Sequence, residues 1–259
     1  MAEVVIVPTA ADAGALVADE IARLIAARPD AVLGLATGST PLPVYEALRA
    51  RLDGVDVSQV RGFALDEYVG IDPGHPESYR SVITREVVEP LGLSPERIHT
   101  PNGALETIEH AGEDYEAAIE AAGGVDLQIL GIGTSGHIGF NEPGSSFASR
   151  TRVKTLIEQT RRDNARFFDS IDDVPMHCIT QGLGTILRAR HLFLLAFGEG
   201  KAQAVAAAVE GPLTASLPGS AIQLHEHATV IVDEAAGSLL RNADYYRYAY
   251  EHKPAWQGL

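Results

Sequence analysis

The chain has 259 residues, 46% hydrophobic and 21% charged, an ordinary globular composition that supports a large buried core and excludes disorder as the main state. Twenty Lys and Arg against 35 Asp and Glu leave a formal charge of −15, which argues against a nucleic-acid partner or an anionic membrane surface. The single cysteine, Cys178, cannot form an intramolecular disulfide, and no apolar stretch approaches the ~20 residues of a spanning helix. The first residues, Met1 to Val7, lack the basic start and cleavage site of a signal peptide, so a cytoplasmic location is expected.

In chain order, short apolar runs predict strands at Val4–Val7, Ala31–Ala36, Val60–Leu65, Val125–Leu130, His191–Phe197 and Thr229–Val232. Between them lie stretches of helical spacing: Leu16/Val17, Ile21 and Leu24/Ile25, then Val82/Ile83, Val87 and Leu91, then the alanine-rich Glu199–Val209. This alternation is the pattern of an α/β fold: an open, mostly parallel, Rossmann-like sheet with helices on both faces. No linker, repeat or composition step divides residues 1–259, so one domain is expected.

Three of the strands run into small and polar clusters, and in such sheets ligands bind beyond the carboxyl ends of the strands. Thr37-Gly38-Ser39-Thr40, before a helix opened by Pro41 or Pro43, fits either an anion cradle or an ordinary capped turn. Asp66-Glu67 leaves the apolar Phe63-Ala64-Leu65, so Asp66 is either a partly desolvated general base or a turn acid. Gly131-Ile132-Gly133-Thr134-Ser135-Gly136 has the letters of a dinucleotide fingerprint, yet Gly139 and Pro143 oppose the helix that this motif requires. It reads instead as a loop bringing His137 and Glu142 to the strand ends, where a carboxylate can fix the imidazole tautomer. Between Arg150 and Arg166 lie six of the twenty basic residues, either an anion site for a group such as a phosphate ester or a solvated face. Lys201, at a helix start, is a further phosphate-contact candidate. His225-Glu226-His227 has too few ligands nearby to argue for a metal.

The segments Gly34–Pro41, Leu65–Gly70 with His75–Tyr79, Gly136-His137-Ile138-Gly139-Phe140-Asn141-Glu142-Pro143 and Ser149–Leu156 together resemble the glucosamine-6-phosphate deaminase family in order and spacing, over nearly the whole chain. The related 6-phosphogluconolactonases diverge immediately after Gly-His. The resemblance implies conversion of glucosamine 6-phosphate and water to fructose 6-phosphate and ammonia, in amino-sugar catabolism, without metal or organic cofactor. It implies that His137, helped by Glu142, opens the sugar ring. Asp66 would then move a proton from C2 to C1, with the Thr37–Thr40 loop (Thr37, Gly38, Ser39, Thr40), Arg166 and Lys201 holding the phosphate. Ser145, Arg152, Lys154, Thr155 and, by a looser match, Tyr245 resemble the N-acetylglucosamine 6-phosphate effector site of the allosteric hexameric branch, so a homo-oligomer is expected. Two other readings are a 6-phosphogluconolactonase-like hydrolase and a catalytically weakened sugar-phosphate sensor.

One position departs from the resemblance: Ser135 stands where family members carry Asp or Asn. A serine hydroxyl hydrogen-bonds but carries no charge near pH 7, so it supports His137 less well than a carboxylate does. Ser135→Asp is expected to raise kcat on the closed sugar; an unchanged or lower rate in steady-state assays would show that this position does not limit turnover.

Overall fold

The computed structural model describes residues 2–254 and 256–259. Among the described residues ten strands form in chain order: β1 (Glu3–Val7), β2 (Val32–Leu35), β3 (Arg61–Ala64), β4 (Asp66–Tyr68), β5 (Ile98–His99), β6 (Leu127–Gly131), β7 (Arg152–Thr155), β8 (His177–Thr180), β9 (His191–Ala196) and β10 (Ala228–Asp233). Seven make one parallel sheet in the order β1-β10-β9-β6-β2-β3-β5. The six expected strands all lie in it. Their runs of Val, Ile, Leu and Phe are buried almost continuously in β2, β9 and β10, as strands covered on both faces require. The helix Ala10–Ala27 begins at Thr9, whose hydroxyl accepts the Asp12 amide, and it packs Val17, Ile21 and Ile25 into the core.

Strand order fixes where a ligand can enter. After β2 the chain moves outward to β3 and β5; it then returns to the other side of β2 as β6 and proceeds through β9 and β10 toward β1. The loops after β2 and β6 therefore diverge at the switch point, and these are residues 36–41 and 132–137.

The second sheet, antiparallel β4-β8-β7, carries no counterpart among the strands expected from sequence. Asp66-Glu67-Tyr68, expected as a polar cluster beyond a strand, is itself a strand. The basic Arg150–Arg166 segment becomes β7 followed by the helix Glu158–Asn164. Leu65 is the hinge: its amide donates to Leu35 of the large sheet and its carbonyl accepts from Gln181 beside the small one. Tyr68, Phe140, Leu156, Val174 and Cys178 form a separate small core there.

A buried carboxylate ties this subdomain to the main body. Glu116, on the helix Ile108–Ala121, accepts from the amide and hydroxyl of Thr151 at 2.7 and 2.6 Å and from the Thr185 hydroxyl, and pairs with Arg150 and Arg188. Burial pushes its pKa up, but the Thr151 and Thr185 hydrogen bonds and the Arg150 charge outweigh that and hold it below the ordinary value. Its stabilisation is therefore present above the unfolded carboxylate pKa and is lost as pH falls through the depressed folded value. Glu116→Ala is expected to cost about 2–4 kcal/mol and to lower Tm at pH 7 more than at pH 4, as thermal unfolding at the two pH values would register; an equal loss at both would contradict the assignment.

Candidate active site

Asp66 is the first residue of β4 and is buried. Burial in an apolar wall, reinforced by the neighbouring Glu67 charge and opposed by the Phe140 amide, pushes its pKa up to about 8. Glu67, to which the sequence assigns no role, does something else. Its carboxylate accepts the amides of Tyr68, Tyr79 and Arg80 at 2.8–2.9 Å and so fastens the start of the helix Tyr79–Ile83 to β4. Glu67 thus serves as the helix anchor.

The loop after β6 contains no helix, as its Gly139 and Pro143 foretold; it turns back through a single bridge between Ile138 and Asn141. Glycine is required twice in it. A Cβ at Gly133 would lie 2.3 Å from the His137 ring, so the imidazole rests directly against that backbone. Gly139 has φ +54°, and a Cβ there would sit 3.1 Å from Thr180 Oγ1 and 3.5 Å from Asp66 Oδ2. The turn carrying His137 therefore closes over the Asp66 carboxylate.

His137 Nδ1 lies 2.9 Å from Ser135 Oγ and 3.6 Å from Glu142 Oε2. The nearby carboxylate favours the proton on Nδ1, with Ser135 Oγ accepting it, which leaves Nε2 as the free basic nitrogen. Glu142 is 3% exposed; its Oε1 accepts from Thr160 Oγ1 at 2.6 Å, and its Oε2 has no hydrogen-bond partner. Burial raises the Glu142 pKa, but His137 and Thr160 outweigh it and hold the net value below the ordinary one. Ser135 thus supplies geometry to the imidazole, while the charge comes from Glu142 alone.

The phosphate candidates gather around the same opening. Thr40 packs 3.6 Å from the position a Gly131 Cβ would take, joining the loop after β2 to the end of β6. Pro41 caps the helix Leu42–Arg51, and Gly38 is left-handed with open space on its Cβ side. Lys201 Nζ donates to the Ile132 carbonyl at 2.7 Å; burial lowers its pKa, with Arg166 adding to the effect and Asp163 opposing it. Asp233 places this lysine by accepting the Gly198 amide on both carboxylate oxygens, at 3.1 and 3.0 Å. Arg166 is exposed, with its guanidinium 4.7 Å over the Phe167 ring.

Several contributors were given no role from sequence, although Tyr68, Tyr79 and Phe140 lie within the segments that carry the resemblance. Thr160 donates to Glu142; Asn164 donates to Tyr68 Oη at 2.9 Å; and of Tyr68 and Tyr79, 3.4 Å apart at their hydroxyls, Tyr79 stacks on Phe140 and Tyr68 tilts against it. Only long-range pairing reveals them, since nothing local distinguishes these side chains.

The expected effector residues divide. Arg152 donates to Asn141 Oδ1 at 2.7 Å and to Ser145 Oγ at 3.2 Å, and Ser145 in turn donates to the Glu142 carbonyl at 2.7 Å. Lys154 and Thr155 follow on β7. Tyr245 does not join them within this chain. It is exposed on the helix Ala243–Glu251, which packs against β1, beside a cavity of about 470 Å³ lined by Glu210, Arg241 and Tyr246. His225 Nε2 hydrogen-bonds the Ala189 carbonyl and its Nδ1 accepts the His227 amide, and among the described residues no group of three or more His, Cys, Asp or Glu is placed to hold a metal.

Comparison with known proteins places the chain in a family. The pattern of the family described as glucosamine-6-phosphate isomerases/6-phosphogluconolactonase matches residues 8–231, and the chain belongs to that family of sugar-phosphate enzymes. Within it, the glucosamine-6-phosphate deaminase of Bifidobacterium longum subsp. infantis is 61% identical, covering 100% of both chains. That of Streptomyces avermitilis is 63% identical over 99% of this chain and 100% of its own. A solved monomeric glucosamine-6-phosphate deaminase superposes with TM-score 0.88 at 41% identity, over 92% of this chain and 99% of that one. The 6-phosphogluconolactonase of Leishmania guyanensis, at 22% identity and TM-score 0.72 over 92% and 98%, shares the fold.

The raised Asp66 pKa has a measurable cost. The folded chain holds this proton more tightly than the unfolded chain, so the Asp66 contribution to stability falls as pH rises from about 4 to about 8. Asp66→Asn, which carries no charge, is expected to raise Tm at pH 8 by at least about 2 °C and to leave it nearly unchanged at pH 4. A Tm at pH 8 below that of the unsubstituted protein would contradict the desolvated carboxylate.

Proposed function

We propose that the chain is a glucosamine-6-phosphate deaminase that converts glucosamine 6-phosphate and water to fructose 6-phosphate and ammonia. The observation that carries this reading is the pairing of a desolvated carboxylate at Asp66 with a separate His137–Glu142 couple on a loop folded over it. Those are two proton-transfer devices, and the reaction needs two.

Ring opening moves a proton from the C1 hydroxyl to the ring oxygen, and His137 Nε2 is the group free to carry it. Asp66 then removes the C2 proton, giving an enolamine, and returns a proton to C1. The resulting C2 iminium adds water and expels ammonia. A base with a pKa pushed up to about 8 is matched to abstraction beside a carbonyl and retains the proton long enough to deliver it. The Thr37–Thr40 amides and hydroxyls, Arg166 and Lys201 would hold the phosphate as charge-assisted hydrogen-bond donors.

The net charge and the absence, among the described residues, of a helix long and apolar enough to cross a membrane are compatible with action on a small cytoplasmic metabolite. We read the small sheet and the main sheet as one domain, since Glu116 and Leu65 bind them together. An effector site for N-acetylglucosamine 6-phosphate would use Ser145, Arg152, Lys154 and Thr155, with Tyr245 contributed by another subunit of a hexamer. The link from Arg152 through Ser145 to the Glu142 backbone supports that placement. Sedimentation of only a 27.5 kDa species at micromolar concentration would remove it.

Purified protein incubated with glucosamine 6-phosphate is expected to release fructose 6-phosphate and ammonia in equal amounts, and Asp66→Asn is expected to lose about 10²–10⁴-fold in kcat. Product formation unaffected by that substitution, or neither product from the unsubstituted protein, would overturn the reading.

A further inference from the structure

Glu142 has two carboxylate oxygens in different circumstances. Oε2 faces His137 Nδ1 at 3.6 Å with no hydrogen-bond partner, while Oε1 is taken by the Thr160 hydroxyl at 2.6 Å. Thr160 is 3% exposed and sits on the helix Glu158–Asn164. The same helix reaches the site at two further points. Asp163 accepts from Thr134, the neighbour of Ser135, at 3.4 Å, and Asn164 donates to Tyr68 Oη at 2.9 Å. Two residues beyond its end is Arg166, in the electrostatic neighbourhood of Lys201. Arg161 stitches the helix to the Ile171–Val174 segment, donating to the carbonyls of both of those residues.

We propose that Thr160 is a positioning residue: its hydroxyl fixes the Glu142 carboxylate so that Oε2 faces His137, and it links this proton relay to the helix leading to the phosphate contact Arg166. The inference rests on the functional reading above. A carboxylate buried with one oxygen unpartnered has strong reason to rotate or to acquire a proton. The Thr160 hydrogen bond removes one rotational option and favours the ionised form. The groups facing Glu142 from the surrounding elements are His137 and Ser145 on its own loop, the Ile157 amide just before the helix, Arg152 of β7 acting through Ser145, and Cys178 of β8, whose thiol burial keeps neutral. Thr160 is the side chain that hydrogen-bonds Oε1. A phosphate that engages Arg166 would therefore fix the helix that sets the orientation of Glu142.

The test compares Thr160→Val, which keeps the shape and deletes the hydroxyl, with Thr160→Ser, which keeps the hydroxyl. Carboxyl-carbon NMR titration of Glu142, assigned by its loss in Glu142→Gln, runs beside steady-state kinetics on glucosamine 6-phosphate. Without the hydrogen bond the ionised form is less favoured, so in Thr160→Val both the Glu142 midpoint and the acid limb of kcat/KM are expected to move to higher pH. In the same variant kcat falls about tenfold or more while KM changes little, and Thr160→Ser restores both. An unmoved Glu142 midpoint in Thr160→Val would overturn the proposal, as would a serine variant as impaired as the valine one, which would leave only methyl packing. An unsubstituted protein inactive on the sugar phosphate would instead overturn the functional reading, and the Glu142 titration would still decide the role of Thr160.

Discussion

A carboxylate kept out of water at the junction of two sheets is the constraint on which this structure turns. The chain leaves the seven-stranded sheet at Leu65 and enters the three-stranded one at Asp66, so the carboxyl group emerges where both sheets exclude solvent. Burial at that point opposes ionisation, and the surrounding structure must tolerate the cost. The left-handed Gly139 admits the neighbouring loop without a clash, Glu67 anchors the helix on the far side, and the small core of Tyr68, Phe140 and Cys178 seals the second sheet. Under the proposed function, stability is given up locally to obtain a base of useful strength, as active sites commonly require.

The second proton device is built on the opposite plan. Glu142 is also buried, but His137 and Thr160 keep it ionised, and it acts by orienting an imidazole. Two carboxylates beside the same glycine turn, Asp66 in space and Glu142 along the chain, are thus pushed in opposite directions by their surroundings. In the proposed mechanism that divergence lets one site open a ring and then transfer a proton between adjacent carbons. Ser135 fits the division: it satisfies the geometry of His137 Nδ1 without adding a second charge.

Much of this was legible in the sequence, and the limits have physical causes. Six of the seven strands of the large sheet announce themselves because they read as apolar runs, largely buried on both faces; β5, only Ile98 and His99, does not. β4, β7 and β8 do not, since they are three or four residues long and largely polar at the ends of the chemistry-bearing segments. Asp66 could be singled out from the apolar residues before it. Glu67 could be given no role, because its three amide donors include Tyr79 and Arg80, twelve and thirteen residues along the chain. The Gly131–Gly136 letters were correctly separated from a dinucleotide fingerprint by Gly139 and Pro143, which deny the helix that such a fingerprint opens. Thr160 was invisible: its role depends on a helix swinging back over Glu142, which no local pattern encodes.

In this mechanism one buried group carries a hydrogen from C2 to C1. Glucosamine 6-phosphate bearing deuterium at C2, turned over in ordinary water, tests that most directly. The mechanism predicts slower turnover than for unlabelled substrate and deuterium recovered in part at C1 of fructose 6-phosphate, because Asp66 is shielded from exchange. Turnover at the unlabelled rate, with all of the label lost to solvent, would contradict it.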